Sequence, residues 1–300
     1  MSSQRRAEFL LLSITVIWGS TFVVTKSLLE LNSPLWYTML RFVLAGAFVF
    51  IAFPRRILST TRVALKTGIV LGLFLYIGFA MQTVGMQYTT ASKSAFFTGM
   101  LVVLTPIVHF FAQNVLSITR KPLKLGNLLG VACAAAGLYL LTAPSGGSFN
   151  IGDGMTLICA LTFAFYIVYL DTVAPEVDKM QVTFVMFLEC GILGLACSLL
   201  FEPIRVDYSR DFLIALLYLT IFATVVAMGV QNRYQGDTTP TRAALIFAME
   251  PVIAGILAYF IRGEIIGTLG VVGGGVIVTG LLLSEFSDEI PGLKRSLTTE

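Results

Sequence analysis

Ten apolar runs, each near 20 residues, follow one another at about 9–29, 35–53, 67–87, 94–115, 124–142, 152–170, 180–201, 211–231, 241–261 and 265–283. Wound as helices, runs of that length match the hydrocarbon thickness of a bilayer. Strands of a transmembrane barrel would alternate apolar and polar positions, and these runs do not. The pattern predicts an all-α membrane protein of ten transmembrane helices. The N-terminal "MSSQRRAEFLLLSITVIWGSTFVVTKSLL" starts with basic residues as a signal peptide does. Its apolar stretch is about 20 residues long, lacks a small-residue cleavage site and is followed by further spans, so it reads as the first spanning helix. The chain closes on a polar tail, "SEFSDEIPGLKRSLTTE".

Five runs precede the loop "TAPSGGSFNIGDG" and five follow it, and the two halves correspond. "YTTASKSAFFTGMLVVLTP" in span four matches "DTTPTRAALIFAMEP" in span nine, with about one extra helical turn in the former. "GNLLGVACAAAGLYLL" in span five matches "GVVGGGVIVTGLLL" in span ten. Each of the latter pair contains a GxxxG, at Gly126/Gly130 and Gly270/Gly274, where two backbones can approach closely. With five spans per copy, the second copy enters the membrane from the opposite side, so the repeats are inverted. Inverted repeats are a usual basis of alternating access. The expected organisation is a cytoplasmic N-terminus over 1–8, a first five-helix repeat over 9–142, a linker over 143–151, a second repeat over 152–284 and a cytoplasmic tail over 285–300.

Charge sets the orientation. With both termini in the cytoplasm, fourteen Lys and Arg fall on the inner side and only Lys93, Arg205, Arg210 and Arg262 on the outer. That asymmetry obeys the positive-inside rule and fits an integral protein of the cell's inner (plasma) membrane. Charged residues make up 12% of the chain and hydrophobic ones 56%, too few polar groups to clothe a soluble core of this size. A net charge of +3 argues for no nucleic-acid partner. The four cysteines lie within apolar runs without a CxxC, and His109 is the only histidine, so the sequence predicts no metal and no cofactor.

The motifs resemble one known family. "WGSTFVVTK" in span one, Arg41 in span two, "TTASKSAFFTG…LTP" in span four and "TRAALIFAMEP…GE" in span nine are similar to the EamA branch of the drug/metabolite transporter superfamily. The resemblance covers roughly residues 9–284. It implies a basket-like ten-helix carrier with a central cavity between the halves, moving metabolites, amino acids or drugs. By position, Trp18 with Gly19, Arg41, Pro106, Glu250 with Pro251, and Gly263 with Glu264 match family-typical sites, and Trp18 enters the expected substrate site on that ground. Thr105 stands where Glu250 would be in the first copy, and "ITRKP" replaces the "RGE" ending. The expected site is therefore chemically asymmetric.

A charge at the bilayer centre costs roughly 2.5–3.5 kcal/mol on insertion scales, so intramembrane ionisable groups mark candidate chemistry. Lys26 and Lys93 sit near outer ends and can snorkel. Arg41, His109, Glu189 and Glu250 cannot escape so easily. Arg41 and Glu189, on equivalent spans of the two repeats, are expected to form a structural ion pair. For Glu250 two readings stay open. Pro251 takes a helical partner from the Phe247 carbonyl, so a protonated Glu250 can cap the broken backbone; alternatively it faces the cavity and binds a cationic group or a proton. His109 is either a satisfied buried histidine or a second substrate or proton contact.

Helical spacing collects further polar residues into stripes, at about 100° per residue. Ser94, Thr98, Thr105 and His109 align on span four, and Tyr76, Thr83 and Gln87 on span three. Thr162, Tyr166 and Tyr169 align on span six, and Thr220, Thr224 and Gln231 on span eight. Such stripes either bond their own backbone or turn to a wet lumen. The substrate-binding candidates are Trp18, Tyr76, Thr83, Thr98, Thr105, His109, Tyr166, Tyr169, Thr224, Gln231 and Glu250, with Glu250 and His109 as proton-coupling candidates. No P-loop, HExxH or GxSxG occurs. The expected partners are a small-molecule substrate and the lipid bilayer, and the expected protein is no enzyme. The leading function is a secondary carrier exporting a small amphipathic metabolite, an amino acid or drug-like compound among them. The alternatives are an importer or uncoupled facilitator of the same fold and, more remotely, an intramembrane enzyme using Glu189, Glu250 and His109.

Overall fold

A computed structural model describes residues 3–114, 124–142, 149–173, 176–262 and 267–286. The chain is an all-α membrane protein. Eight helical stretches among the described residues are long and apolar enough to cross a bilayer, and two further apolar helices, Leu125–Leu141 and Thr268–Ser284, are shorter. In chain order the elements are α1 (Ser3–Leu28), α2 (Pro34–Ala52), α3 (Pro54–Leu58), α4 (Arg62–Tyr88), α5 (Ala91–Gly99), α6 (Leu101–Asn114), α7 (Leu125–Thr142) and α8 (Ile151–Asp171). They continue as α9 (Lys179–Phe201), α10 (Arg210–Tyr218), a π-helical segment (Leu219–Val226), α11 (Ala227–Tyr234), a 3₁₀ turn (Gln235–Asp237), α12 (Pro240–Phe247), α13 (Glu250–Arg262) and α14 (Thr268–Phe286).

α1 starts at Ser3, six residues before the predicted span, and Glu8 is buried within it. The reason is tertiary. The Glu8 carboxylate accepts hydrogen bonds from Thr238 and Arg242, which draws the polar start of α1 into the bundle. The predicted spans four and nine are each broken into two helices, α5–α6 at Met100 and α12–α13 at Ala248–Met249. Both start on a threonine cap: Thr90 accepts from the Lys93 N–H at 3.1 Å and Thr239 from the Arg242 N–H at 3.2 Å.

Packing follows glycine. α7 and α14 run antiparallel in close contact. A Cβ on Gly130 would lie 2.6 Å from the Gly280 carbonyl oxygen, and one on Gly137 would lie 2.6 Å from that of Gly273. The predicted GxxxG registers therefore shift. Gly130 does make the approach, but its helical mate is Gly137, two turns on, while Gly274 has ordinary space around it. α2 and α9 are antiparallel too. Glu202, just past α9, accepts from the Leu35 and Trp36 N–H groups at the start of α2. At the other end, Gln181 in α9's first turn donates to the carbonyls of Arg56 and Ser59 in and after α3.

Candidate functional site

The second half of α4, the middles of α1, α2 and α8, the start of α11 and the break between α12 and α13 frame a partly enclosed cavity of about 60 Å³. Its walls are largely aromatic, from Trp18, Phe79, Phe163, Tyr166 and Phe247. Trp18 and Phe247 meet edge to face with centroids 5.3 Å apart. The Arg41 guanidinium and the Glu250 carboxyl line the same space with Gln82 and Gln231.

Arg41 is held rather than neutralised. It is 3% exposed, and its Nε donates to Thr224 Oγ1 at 2.6 Å while its guanidinium lies 4.9 Å from the Phe79 ring centroid. Its terminal amino groups make no hydrogen bond to any described residue. The expected Arg41–Glu189 pair is not formed. Glu189 lies instead on the α4 side of α9, filling the space beside Gly72, and its Oε2 has no hydrogen-bond partner among the described residues. Equivalent positions in two repeats need not share a face once α9 must also pack on α4.

The π-helical segment explains how Arg41 and Trp18 are both positioned. Thr224 Oγ1 donates to the Leu219 carbonyl, five residues back, at 2.9 Å, leaving its lone pairs to receive Arg41. The Ala223 carbonyl, turned out of an α-helical ladder, accepts from Trp18 Nε1 at 2.9 Å. Wider turns of this kind often sit at functional sites.

Glu250 opens α13, where the partial positive charge of the helix N-terminus favours a carboxylate. Pro251 follows in the first turn, where its missing N–H removes no helical bond. The break thus falls two to three residues before the proline. Among the described residues nothing hydrogen-bonds the Glu250 side chain, so the capping role weighed from the sequence is not realised. Gly19 permits this geometry, since a Cβ there would come within 3.1 Å of the Glu250 carbonyl oxygen and 2.7 Å of Ile253 Cγ2.

Of the residues expected from the sequence, Trp18, Tyr166, Gln231 and Glu250 line the cavity. Thr224 stands behind Arg41, and Thr98 behind Gln82, whose Nε2 donates to it at 2.9 Å. Tyr166 donates to Asn232 Oδ1, and Gln231 Nε2 to Gln235 Oε1. Tyr76, Thr83, Thr105, His109 and Tyr169 do not line it. Thr83 and Thr105 are buried between helices, Tyr76 and Tyr169 pack into the main apolar core, and His109 Nδ1 faces Thr241 Oγ1 of α12 at 3.5 Å. Gln82 was missed, although an amide in an apolar run is a readable signal; Phe79, Phe163 and Phe247 carry none. Gly263 and Glu264 lie outside the described residues. Among those residues no cluster of three His, Cys, Asp or Glu is placed to hold a metal ion.

A family model described as the EamA-like transporter family matches this chain twice, over residues 5–143 and 150–286. The chain belongs to that family. Its relatives include an uncharacterized transporter of Archaeoglobus fulgidus, 30% identical over 92% of this chain and 85% of that one. Another is a probable amino-acid metabolite efflux pump of Salmonella typhimurium, 27% identical over 94% of this chain and 95% of that one. A solved crystal structure shares the fold of this EamA-like chain, with a TM-score of 0.76 at 19% identity over 93% and 96% of the two chains.

Proposed function

We propose that this EamA-like transporter is a secondary carrier that exports small amphipathic zwitterions, amino acids or their derivatives, by alternating access. The single observation that carries the substrate class is that the Arg41 terminal amino groups and the Glu250 carboxyl, neither hydrogen-bonded to a described residue, share one aromatic-lined cavity. The terminal amino groups of Arg41 suit a carboxylate, which they can bind bidentately, and Glu250 suits an ammonium group. Trp18, Phe79, Phe163 and Phe247 suit an apolar side chain. Export draws support from the efflux pump named among the relatives.

The carrier is read as two inverted five-helix repeats with both termini in the cytoplasm. Three features support it. The family model matches once per half. The threonine-capped broken helices recur in each half at the same place. Equivalent helices pack against each other antiparallel, α2 on α9 and α7 on α14, as a twofold axis in the membrane plane requires.

Thermal stabilisation of the purified protein by a panel of amino acids, simple amines, simple acids and neutral analogues tests the assignment. Zwitterions with apolar side chains are expected to stabilise the wild type, and Glu250→Gln is expected to lose that effect for zwitterions and amines while keeping it for acids. Stabilisation by neutral analogues that equals that by zwitterions, unchanged in Glu250→Gln, refutes it.

A further inference from the structure

The motif Thr-Thr-x-x-Lys/Arg occurs at residues 89–93 and again at 238–242, at the start of each broken helix. In both places the second threonine caps the helix and the first, together with the basic residue, grips a carboxylate on another helix. Lys93 Nζ donates to Asp153 Oδ2 at 2.7 Å and Thr89 Oγ1 to Asp153 Oδ1 at 2.6 Å. Arg242 Nη1 donates to Glu8 Oε1 at 3.1 Å and Thr238 Oγ1 to the same oxygen at 2.9 Å. The partners are exchanged between halves. Asp153 is in the first turn of α8, the first helix of the second half, and Glu8 is in α1, the first helix of the first.

The two ties sit at opposite ends of the bundle. Lys26, near the end of α1, donates to the Met86 and Thr89 carbonyls and so lies against the first tie. Glu8, which makes the second, is eighteen residues earlier on the same helix, a separation of about 27 Å. Trp18 and Thr21, which line the cavity, lie between them. Each tie also holds the far end of a short lever. α5 breaks at Met100, beside the cavity residue Leu101, and α12 breaks at Ala248–Met249, between the cavity residues Phe247 and Glu250. The carboxylates are almost fully buried, so an opening of either tie must rehydrate both partners at once. Buried ion pairs contribute little net stability for what they exclude, and their best-attested use is in specifying one of two arrangements.

We propose that these ties are the two opposed gates of the carrier. Thr238–Arg242–Glu8 closes the cavity towards the end where α1 begins, Thr89–Lys93–Asp153 closes it towards the end where α1 finishes, and each half-cycle releases one while the other holds. Lys93, Arg242, Thr89 and Thr238 are then positioning residues for transport, acting through the levers and not on substrate. The inference rests on the carrier reading above.

A membrane-impermeant maleimide tests it. Thr21→Cys places a thiol at the cavity in a background with Cys133, Cys159, Cys190 and Cys197 replaced by alanine, and labelling is followed in vesicles of both orientations. Lys93→Met is expected to raise the labelling rate roughly tenfold from one face only, and Arg242→Met from the opposite face only. Thr89→Val should act on the same face as Lys93→Met, and Lys93→Arg should label as wild type does. Faster labelling from the same face in both methionine variants, no change in either, or Lys93→Arg behaving as Lys93→Met overturns the proposal. Labelling needs no substrate. Failed amino-acid flux with one-sided labelling intact therefore sinks the carrier reading alone, and normal saturable flux with labelling that has no sidedness sinks the gates alone.

Discussion

Thr224→Val replaces one γ oxygen by a methyl group of nearly the same size at the point where the π-helical segment meets Arg41. Two hydrogen bonds go with it, the one received from Arg41 Nε at 2.6 Å and the one given to the Leu219 carbonyl at 2.9 Å. The first involves a full charge on a side chain only 3% exposed, so solvent cannot replace the lost acceptor without entering the bundle. A bond to a charged group contributes about 1.5–3 kcal/mol and a neutral one about 1, which together predict a loss of roughly 2–4 kcal/mol. For a chain of this size that lowers the midpoint of thermal unfolding by roughly 3–6 °C. The assay is intrinsic fluorescence on heating in one detergent at one scan rate, because membrane-protein unfolding is commonly irreversible and rate-dependent. Thr224→Ser keeps the oxygen and should recover most of the loss. It should also restore stabilisation by simple acids, which bind through Arg41. A Thr224→Val midpoint equal to wild type, or equal losses in the serine and valine variants, refutes the idea that this hydroxyl holds Arg41.

Gly137→Ala puts a Cβ 2.6 Å from the Gly273 carbonyl oxygen and 2.8 Å from the Ile277 nitrogen, so α7 and α14 must separate, at about 1–3 kcal/mol. Gly274→Ala finds its nearest neighbour at 3.6 Å and should be close to neutral, and urea or thermal unfolding of the pair measures the difference. At the α9 cap, burial tends to raise the Asp178 carboxyl, but the Arg56 guanidinium and the Met180 and Gln181 N–H groups outweigh it and hold the group below its usual range. A depressed carboxyl stabilises the fold above its unfolded pKa, near 4, and that contribution disappears as pH falls through the lower folded value. Between neutral pH and about pH 3 the wild type should therefore lose a small increment of stability that Asp178→Asn lacks, small because Arg56 is half exposed. An identical acid profile in the two proteins refutes that linkage.

Hydrophobic length alone determined that this chain crosses a membrane and where most helices run, because lipid leaves a spanning backbone no other way to satisfy its hydrogen bonds. The match between spans four and nine was legible, but the breaks at Met100 and Ala248–Met249 were not, since both spans read as single apolar runs. Glu250 stood out because a carboxylate in an apolar run needs a reason, with a cap and a cavity role both open. The helical stripes were less informative. Spacing of 100° per residue shows which side chains share a face, but not which neighbour that face meets. Thr83, Thr105 and His109 turned towards packed helices, and Tyr166 and Gln231 towards the cavity. On span eight even the spacing fails, because the π-helical turns of Leu219–Val226 rotate everything after them. Arg41 was recognised as a buried charge, but its partner was assigned to Glu189 by repeat equivalence. Only the folded bundle put Thr224 within reach of it and turned Glu189 of α9 against α4. The placement of Glu8 shows the same division. Near the chain terminus it reads as part of a polar leader, and it becomes a buried anchor because Thr238 and Arg242, some 230 residues away, converge on its carboxylate. Hydropathy is a local sum and is written along the chain, whereas the pairing of charges depends on which surfaces pack, and packing is decided by the whole bundle at once.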